Sequence, residues 1–556
     1  MLRLIPFLIF LILIGPIFAG LIHIFGPAFS HAPMLGIDEI SLKAFFDFFK
    51  MPGIFTSIWL SFWIGLVTTF VSLLLVMLFV AGFFGTRVYD FFSSVMRSVV
   101  AVPHAAAAFA LAFLIMPSGF FIRLISPELS GFSHPPDWLI INDPMGFALL
   151  FGLVIKEVIF ILLVVMVALA QVERRYFKVA QTLGYGKIWG WLVTVFPKIY
   201  KQIRLPILAV IAYSTSVVDV ALILGPNSPP TLAIKIIRLM NDADLSMRLI
   251  GAAAAVVQLM ITLLALVTWL IGEKIVAHFG KKLALNGFRL QKDFVLKSVG
   301  FVGVGGAIFL ILLGLGFLAI WSVAGYWAFP DILPQNFSFN NWIKQSPQLF
   351  DVAFRAMNIA FFASFISVIL VLLMLENEYR RQIRLPKFGA VILYMPLILP
   401  QVSFLFGLSI LLLWFGIDGT ISSVIFVHII FVLPYVYLLL VDGFHGIDIR
   451  LLKVAKTFGK SDWRIFFSIR LPLLLRVILM AFALGFAISI AQYLPTLLIG
   501  AGRVSTITTE AVALASGGNR RLIGIYALVQ TLIPFIIFAL AAIIPAIIWR
   551  NKEALK

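Results

Sequence analysis

Long apolar runs, each about the length of a membrane span, follow one another along this chain. A helix needs roughly 20 mainly apolar residues to cross the hydrocarbon core of a bilayer. Twelve stretches approach or exceed that length, six in each half, with short polar segments between them. The pattern predicts an all-α polytopic membrane protein with about 12 transmembrane helices. The stretches are 4–24, 54–83, 99–124, 145–171, 205–225, 249–272, 299–327, 353–375, 389–415, 421–441, 473–499 and 523–548.

Composition agrees with this pattern and narrows the function classes. The 556 residues are 62% hydrophobic and only 12% charged, against about 25% charged residues in soluble domains. The net charge of +18 does not indicate nucleic-acid binding, because the basic residues sit mainly in short loops between apolar runs. The chain has no cysteine, which excludes disulfides and thiolate metal sites. No convincing cleavage site follows the first apolar run, so we expect a retained first span.

The basic loops also predict the orientation. Segments 173–204 and 445–476 each carry seven Lys or Arg residues, whereas 126–144 carries none and has three acids. Short loops rich in Lys and Arg stay on the cytoplasmic side. We therefore expect the first two segments inside, 126–144 outside, and both termini in the cytoplasm of a bacterial inner membrane.

Two basic loops contain the same motif. Residues 173–197 read ERRYFKVAQTLGYGKIWGWLVTVFP, and residues 448–472 read DIRLLKVAKTFGKSDWRIFFSIRLP. The shared pattern is an acid, Arg, Lys-Val-Ala, Thr and Gly, with Pro thirteen residues after the Gly. Equivalent positions lie 275 residues apart, and this spacing also relates Leu224-Gly225 to Ile499-Gly500. A motif kept in register in both halves predicts two equivalent contacts with a soluble partner.

The duplication predicts the domain organisation. Residues 1–276 form a first half, 277–298 a cytoplasmic linker, and 299–556 a second half. Six spans is an even number, so both halves enter the membrane in the same orientation. We therefore expect a parallel repeat, related by an axis along the membrane normal.

Each motif copy is expected to form a short helix with a narrow apolar stripe. In the second copy the stripe comprises Leu451, Val454, Ala455 and Phe458. An acid in the first turn suits the positive end of the helix dipole, and the Gly after each helix suits a left-handed turn that ends it. The residues of the two copies that we select as candidates for the contact with the soluble partner are Glu173, Lys178, Val179, Ala180, Gly184, Pro197, Asp448, Lys453, Val454, Ala455, Gly459 and Pro472.

The repeated motif resembles the "EAA" loop of ABC importer permeases, which reads E-A-A-x-x-x-G and then runs to a Pro. Its three letters fall on Lys178-Val179-Ala180 and Lys453-Val454-Ala455, so both copies have Lys where the family has Glu. The fused, duplicated arrangement resembles the permeases of ferric-iron and thiamine importers in particular. The resemblance covers most of the chain.

The resemblance implies a type I importer permease fold and a set of partners. Each loop would be a coupling helix that seats in a groove of an ABC ATPase subunit, two copies of which would serve one permease. A periplasmic substrate-binding protein would dock on the outer loops. ATP and Mg²⁺ would be bound by the ATPase. The chain lacks a phosphate-binding loop, since Gly459-Lys460-Ser461 has Val454 where such a loop needs Gly, so we expect no enzyme activity and no bound cofactor or metal.

Polar residues inside the apolar stretches are candidates for the substrate pathway. Asp219 and the corresponding stretch with Gln492 and Tyr493 lie in the fifth span of each half. His104 and Gln401 each follow a proline and are potential symmetry mates. Each could instead belong to a helix-packing polar network. Lys156 and Glu157 interrupt the fourth span and diverge by about 100° on a helix, so we expect them to have different partners.

Two other functions fit parts of the sequence. An ion-coupled secondary transporter with two parallel six-helix halves would use Lys156, Glu157 and Asp219 as couplers. A membrane enzyme or scaffold has less support, because no nucleophile–base pair or metal cluster is evident. Ferric iron and thiamine are the substrates that the resemblance favours. Both are cationic, which suits Asp219 in a pathway.

Overall fold

The regular secondary-structure elements in the part that the structure, a computed structural model, describes are all helices. That part is residues 2–549 except 34, 35, 38, 170, 171, 173–179, 181 and 384. The helices of the first half, in chain order, are α1 Ile5–Ala28, α2 Lys43–Lys50, α3 Ile54–Phe83, α4 Arg87–Val99, α5 His104–Ile115, α6 Phe120–Ile125, α7 Phe147–Leu169, α8 Lys187–Thr194, α9 Phe196–Ser216, α10 Asp219–Leu224, α11 Leu232–Met240 and α12 Met247–Leu285. Those of the second half are α13 Phe294–Val323, α14 Asn340–Arg381, α15 Lys387–Ile398, α16 Leu405–Trp414, α17 Ile421–His445, α18 Ile449–Thr457, α19 Asp462–Ile465, α20 Leu471–Ala491, α21 Leu494–Gly500, α22 Ile507–Ala515 and α23 Arg520–Ile548.

Ten helical segments within the described residues are long and apolar enough to cross a membrane. Ten of the twelve predicted stretches contain such a helix, and the other two are divided into shorter helices. The stretch 205–225 is divided between α9 and α10, and 389–415 is divided into α15, a 3-10 turn and α16. The second division falls at Pro400, which has no N–H to donate and fixes its own φ. Both stretches are present as broken helices.

The repeat is visible in the helix boundaries. Helix α9 begins at Phe196 and α20 at Leu471, exactly matching the sequence spacing of 275 residues. The same spacing relates the starts of α10 and α21 and both ends of α11 and α22. The break after α9 thus recurs after α20. These matched elements confirm the predicted duplication.

The two halves interlock through the first helix of each. Helix α1 packs against α16 of the second half, and α13 packs against α3 and α5 of the first half. At one crossing a Cβ on Gly20 would lie 2.3 Å from the carbonyl oxygen of Phe404, and one on Gly407 would lie 1.9 Å from that of Gly20. Only glycine allows backbones to approach this closely in a membrane helix pair.

Polar side chains satisfy the backbone where α9 and α20 end. In the first half the Gln258 amide donates to the carbonyl of Thr215 at 3.1 Å. In the second half the Thr508 hydroxyl donates to the carbonyl of Ile490, the residue that corresponds to Thr215. A carbonyl freed by a helix break in an apolar environment needs such a donor. The breaks are therefore stabilised parts of the fold.

Candidate functional site

A central cavity lies where the broken helices of the two halves meet. Its volume is about 180 Å³. The cavity is bordered by the start of α5, the break between α9 and α10, the break before α16, and the break between α20 and α21. Its polar and aromatic lining residues are His104, Glu157, Phe160, Tyr213, Ser216, Asp219, Gln401, Phe431, Tyr435, Gln492 and Tyr493.

All five residues that the sequence selected for a pathway line this one cavity. Asp219, Gln492 and Tyr493 come from the two equivalent helix breaks, and His104 and Gln401 follow the two prolines. Their position next to a shared cavity is a structural fact, whereas contact with a substrate stays a prediction. Tyr213 and Tyr435 were not selected, because nothing in an isolated sequence distinguishes them from the many aromatic residues that face lipid.

Glu157 and Lys156 point to different surroundings, as the helix geometry predicted. Glu157 is buried beside the cavity, and its Oε1 lies 3.2 Å from Nε2 of His104. The Lys156 ammonium instead donates to the backbone carbonyl of Val100 at 3.1 Å and does not line the cavity. One carboxylate therefore reaches the cavity while its neighbouring cation is held elsewhere.

Asp219 occupies the first position of α10, directly after the helix break. It is buried, with 8% of its surface exposed, and its side chain lies close to those of Tyr213 and His104. The His104 and Tyr213 rings are themselves 4.8 Å apart between centroids. Glu157, His104, Tyr213 and Asp219 thus form a continuous polar wall contributed by the first half.

His428 is an interior histidine outside this cavity. One ring nitrogen lies 2.7 Å from the Ser489 hydroxyl and the other 2.9 Å from the Thr496 hydroxyl. These bonds join α17, α20 and α21. His428 therefore links three helices of the second half through hydrogen bonds to protein hydroxyls.

The second repeated loop contains the short helix α18, as predicted. Asp448 precedes it and its carboxylate accepts from the backbone N–H of Arg450 at 2.8 Å. Gly459 follows with φ +71°, and the N–H of Lys460 bonds back to the carbonyl of Ala455 at 3.4 Å, as in a glycine-terminated helix end. Pro472 does not separate the loop from the helix that follows it. It lies in the first turn of α20, to which α19 is joined through a π-helical turn.

The apolar stripe predicted for α18 faces outward. Leu451 is 52% exposed, Val454 54% and Phe458 78%, while α18 rests on the protein through Leu452 and Ala455. Of the four residues predicted to form the stripe, Ala455 is buried against the protein and the other three are exposed. The result is a row of three exposed apolar side chains, here called the α18 stripe.

The first loop is described only in part. Glu173, Lys178 and Val179 lie outside the described residues. Ala180 is buried, Gly184 has the predicted positive φ of +81°, and Pro197 lies in the first turn of α9. Leu183, which corresponds to Phe458 of the α18 stripe, is 56% exposed.

The linker between the halves packs against the first loop. Asp293 accepts from the backbone N–H of Ile188 in the first turn of α8 at 3.1 Å and pairs with Lys297 at 2.9 Å. A Cβ on Gly186 would lie 1.7 Å from the carbonyl oxygen of Leu290. Although burial opposes ionisation, hydrogen bonds from Lys297 and Ile188 hold the pKa of Asp293 below its usual range.

The second loop is anchored differently, by a buried ion pair. Arg470 and Glu376 are 2% and 3% exposed and are hydrogen-bonded to each other. The Arg470 guanidinium also lies 3.8 Å from the centroid of the Tyr379 ring. Arg380 pairs with the same carboxylate at 2.7 Å and covers Trp463 of α19. These contacts fix the loop to the end of α14.

Both loops lie at the same end of the helix bundle. The first packs against the linker just before α13 begins, and the second packs against the last turns of α14. Helices α13 and α14 are consecutive and long enough to span, so the start of one and the end of the other are on the same side. At the opposite end Arg123 of the first half donates to the carbonyls of Ala328 and Asp331 of the second half at 2.8 and 2.6 Å.

Comparison with known proteins places the chain among permeases. A family model described as "Binding-protein-dependent transport system inner membrane component" matches residues 373–550. The chain is 32% identical over 467 residues to the inner membrane ABC transporter permease protein YnjC of Escherichia coli K12, covering 82% of each chain. A shorter similarity is to the spermidine/putrescine transport system permease protein PotC of Haemophilus influenzae, with 29% identity over 27% of this chain and 60% of PotC. Another is to the molybdenum transport system permease protein ModB of the same organism, with 31% identity over 18% of this chain and 50% of ModB.

Proposed function

The chain belongs to the family of inner-membrane ABC transporter permeases, and we propose that it imports a small solute from the periplasm to the cytoplasm with energy from separate ATPase subunits. Family membership favours this function over the ion-coupled carrier and the membrane enzyme. The observation that carries the proposal is the pair of loops at one end of the bundle, each presenting exposed apolar residues next to a positive-φ glycine.

The exposed apolar residues fit a contact with a soluble subunit. Phe458 and Leu183 occupy equivalent positions and expose more than half of their surface. The second loop is held against α14 and the first against the linker, so each can transmit a push to the helices behind it. Two ATPase subunits that close on binding ATP and Mg²⁺ would move both loops together. Each half could then rotate as a rigid body about the interface between them.

The other end of the bundle supplies a surface for a binding protein. Helices α11 and α22 occupy equivalent positions in the two halves. The outer segments expected from the sequence are 25–52, 126–144, 328–351 and 501–521. A two-lobed periplasmic binding protein would dock there and release its solute toward the central cavity. This orientation places both termini in the cytoplasm.

Ferric iron and thiamine remain the candidates that the sequence resemblance suggests for the solute. The printed names of the relatives refer instead to spermidine/putrescine and molybdenum. The pathway proposed for the solute passes Asp219, Gln492, Tyr493, His104 and Gln401.

The proposal is tested by charging the exposed loop residues. Phe458→Asp and Leu183→Asp are expected to weaken co-purification of the partner ATPase subunit, and the double variant to abolish it together with uptake. Arg450→Gln, an exposed change in α18 that leaves the three apolar residues of the α18 stripe in place, is the matched control and should retain both. Because all three positions are exposed, thermal unfolding should be unchanged. Normal ATPase association and uptake in the double variant would overturn the proposal.

A further inference from the structure

The charged side chains that line the central cavity are acidic. Asp219 and Glu157 both line it, and none of the described residues that border it is Lys or Arg. Lys156, which neighbours Glu157 in the sequence, donates to the carbonyl of Val100 and does not line the cavity. A buried carboxylate is costly unless it has a partner of opposite charge. Among the described lining residues His104 is the histidine, and its Nε2 lies 3.2 Å from Oε1 of Glu157.

Aromatic rings complete the lining. Tyr213, Tyr435 and Tyr493 come from three different helical segments in both halves, and all three border the cavity. The face of an aromatic ring attracts a cation within about 6 Å, and sets of such rings recognise organic ammonium groups. The carboxylates and the tyrosine rings that line the cavity thus favour the same kind of ligand.

The size and donor set favour an organic cation over a bare metal ion. A cavity of about 150 Å³ accommodates benzene, and this one measures about 180 Å³. Among the described residues no group of three His, Asp or Glu side chains is placed to hold a metal ion. Neutral amides of Gln401 and Gln492 occupy the second half's side, where they can accept hydrogen bonds from N–H groups.

We propose that the cavity binds a small organic cation, with its positive group between Asp219 and Glu157 and its body against Tyr213, Tyr435 and Tyr493. The inference rests on the proposed import function and specifies its substrate class. It includes amines and nitrogen-heterocycle cations such as thiamine. It does not include ferric iron or oxyanions.

The test uses the full-length chain in lipid nanodiscs, without other subunits. Putrescine, spermidine and thiamine are the cationic probes, and molybdate and sulfate are the anionic ones. Binding is measured by equilibrium dialysis of labelled probe. At least one cation should bind and neither anion should. Asp219→Asn and Glu157→Gln should each weaken cation binding by about 10- to 100-fold, as expected for loss of one charged hydrogen-bond partner.

Matched variants test whether cation binding depends on acids that line the cavity or on the total charge of the protein. Glu128→Gln and Asp137→Asn remove acids that are exposed on an outer loop and should leave binding unchanged. Gln492→Glu should strengthen cation binding, and Gln492→Lys should remove it. Each variant is checked by its thermal unfolding in nanodiscs, so that a folding defect is recognised.

The outcomes also separate this inference from the function on which it rests. Binding of molybdate or sulfate, no binding by any of the three cations, or unchanged cation binding in Asp219→Asn and Glu157→Gln would overturn the cation class. The import function would still stand if the ATPase associates through Phe458 and Leu183. Loss of that association in turn leaves the binding measurement unaffected.

Discussion

The two halves share their backbone plan but hold their repeated loops by different means. In the first half, α8 begins after Gly186, which has no side chain to cap it, and Asp293 of the linker accepts the free N–H of Ile188. In the second half, the equivalent of Gly186 is Ser461, which caps α19 through its own hydroxyl. The second loop is then fastened by Arg470 and Glu376. The position equivalent to Arg470 in the first half is Val195.

The cavity shows the same divergence. The first half supplies both carboxylates, and the second supplies the amides of Gln401 and Gln492. The helix breaks that position these residues are nevertheless equivalent. The comparison indicates that duplication preserves what both halves must do together, namely the breaks and the paired loops. Side chains that serve one anchor or one ligand are free to differ.

The largest expected effect concerns the anchor of the second loop. Arg470→Ala leaves the buried Glu376 carboxylate without its main partner, which should destabilise the protein by about 3–5 kcal/mol. Arg464→Ala, at an exposed position in the same loop, should change little. Thermal unfolding in nanodiscs measures both. Equal stability of the two variants would mean that the ion pair does not anchor the loop.

A second test compares equivalent serines in α9 and α20. Ser489 is bonded to His428, whereas the buried hydroxyl of Ser214 has no hydrogen-bond partner among the described residues. Ser489→Ala should cost about 1–2 kcal/mol, and Ser214→Ala should be neutral or slightly stabilising. The same unfolding measurement applies. A larger loss for Ser214→Ala would contradict the assigned asymmetry.

A third test uses pH to distinguish the two helix caps. Because the pKa of Asp293 is lowered in the folded protein, its contribution to stability is complete above the unfolded value of about 3.9 and is lost as the pH falls through the folded pKa. Hydrogen exchange of the Ile188 amide, corrected for the intrinsic pH dependence, should show protection at pH 7 that disappears in strongly acidic solution. Asp293→Ala should remove the protection at all pH values.

The control for that measurement is the Arg464 amide. It is bonded to the Ser461 hydroxyl, which does not titrate, so its protection should vary less with pH. Similar acid sensitivity of both amides would indicate general unfolding instead of loss of one cap.

The smallest expected effect concerns the glycines that end the repeated loops. Gly459→Ala places a Cβ at φ +71° with no neighbour within 4 Å, so only backbone strain opposes it, and we expect a cost of about 0.5–1 kcal/mol. Gly184→Ala adds a contact of 3.3 Å with the Arg289 guanidinium and should cost slightly more. Unfolding midpoints measured side by side provide the comparison, and a stabilised Gly459→Ala would contradict the strain argument.

Sequence patterns predicted the features that repeat or that depend on nearby residues. The spacing of Gly184 and Gly459 gave the duplicated halves, and the polar residues at the prolines and in the fifth spans proved to share one cavity. The breaks in 205–225 and 389–415 were missed, because an apolar run has the same composition whether its helix is continuous or divided. The role of Asp293 was also missed, since its partner Ile188 lies 105 residues away and no local pattern connects them.

The linker has a consequence for how the protein could be assembled from pieces. Residues 286–293 join the two halves and also complete the N-terminus of α8 through Asp293. Halves produced as separate polypeptides, divided before that acid, would leave the first loop dependent on a cap carried by the other molecule. Reassembly of such fragments would therefore require the amino-terminal end of the second fragment to bind at the start of α8, where Asp293 accepts from Ile188. A tag fused to that end would obstruct the contact.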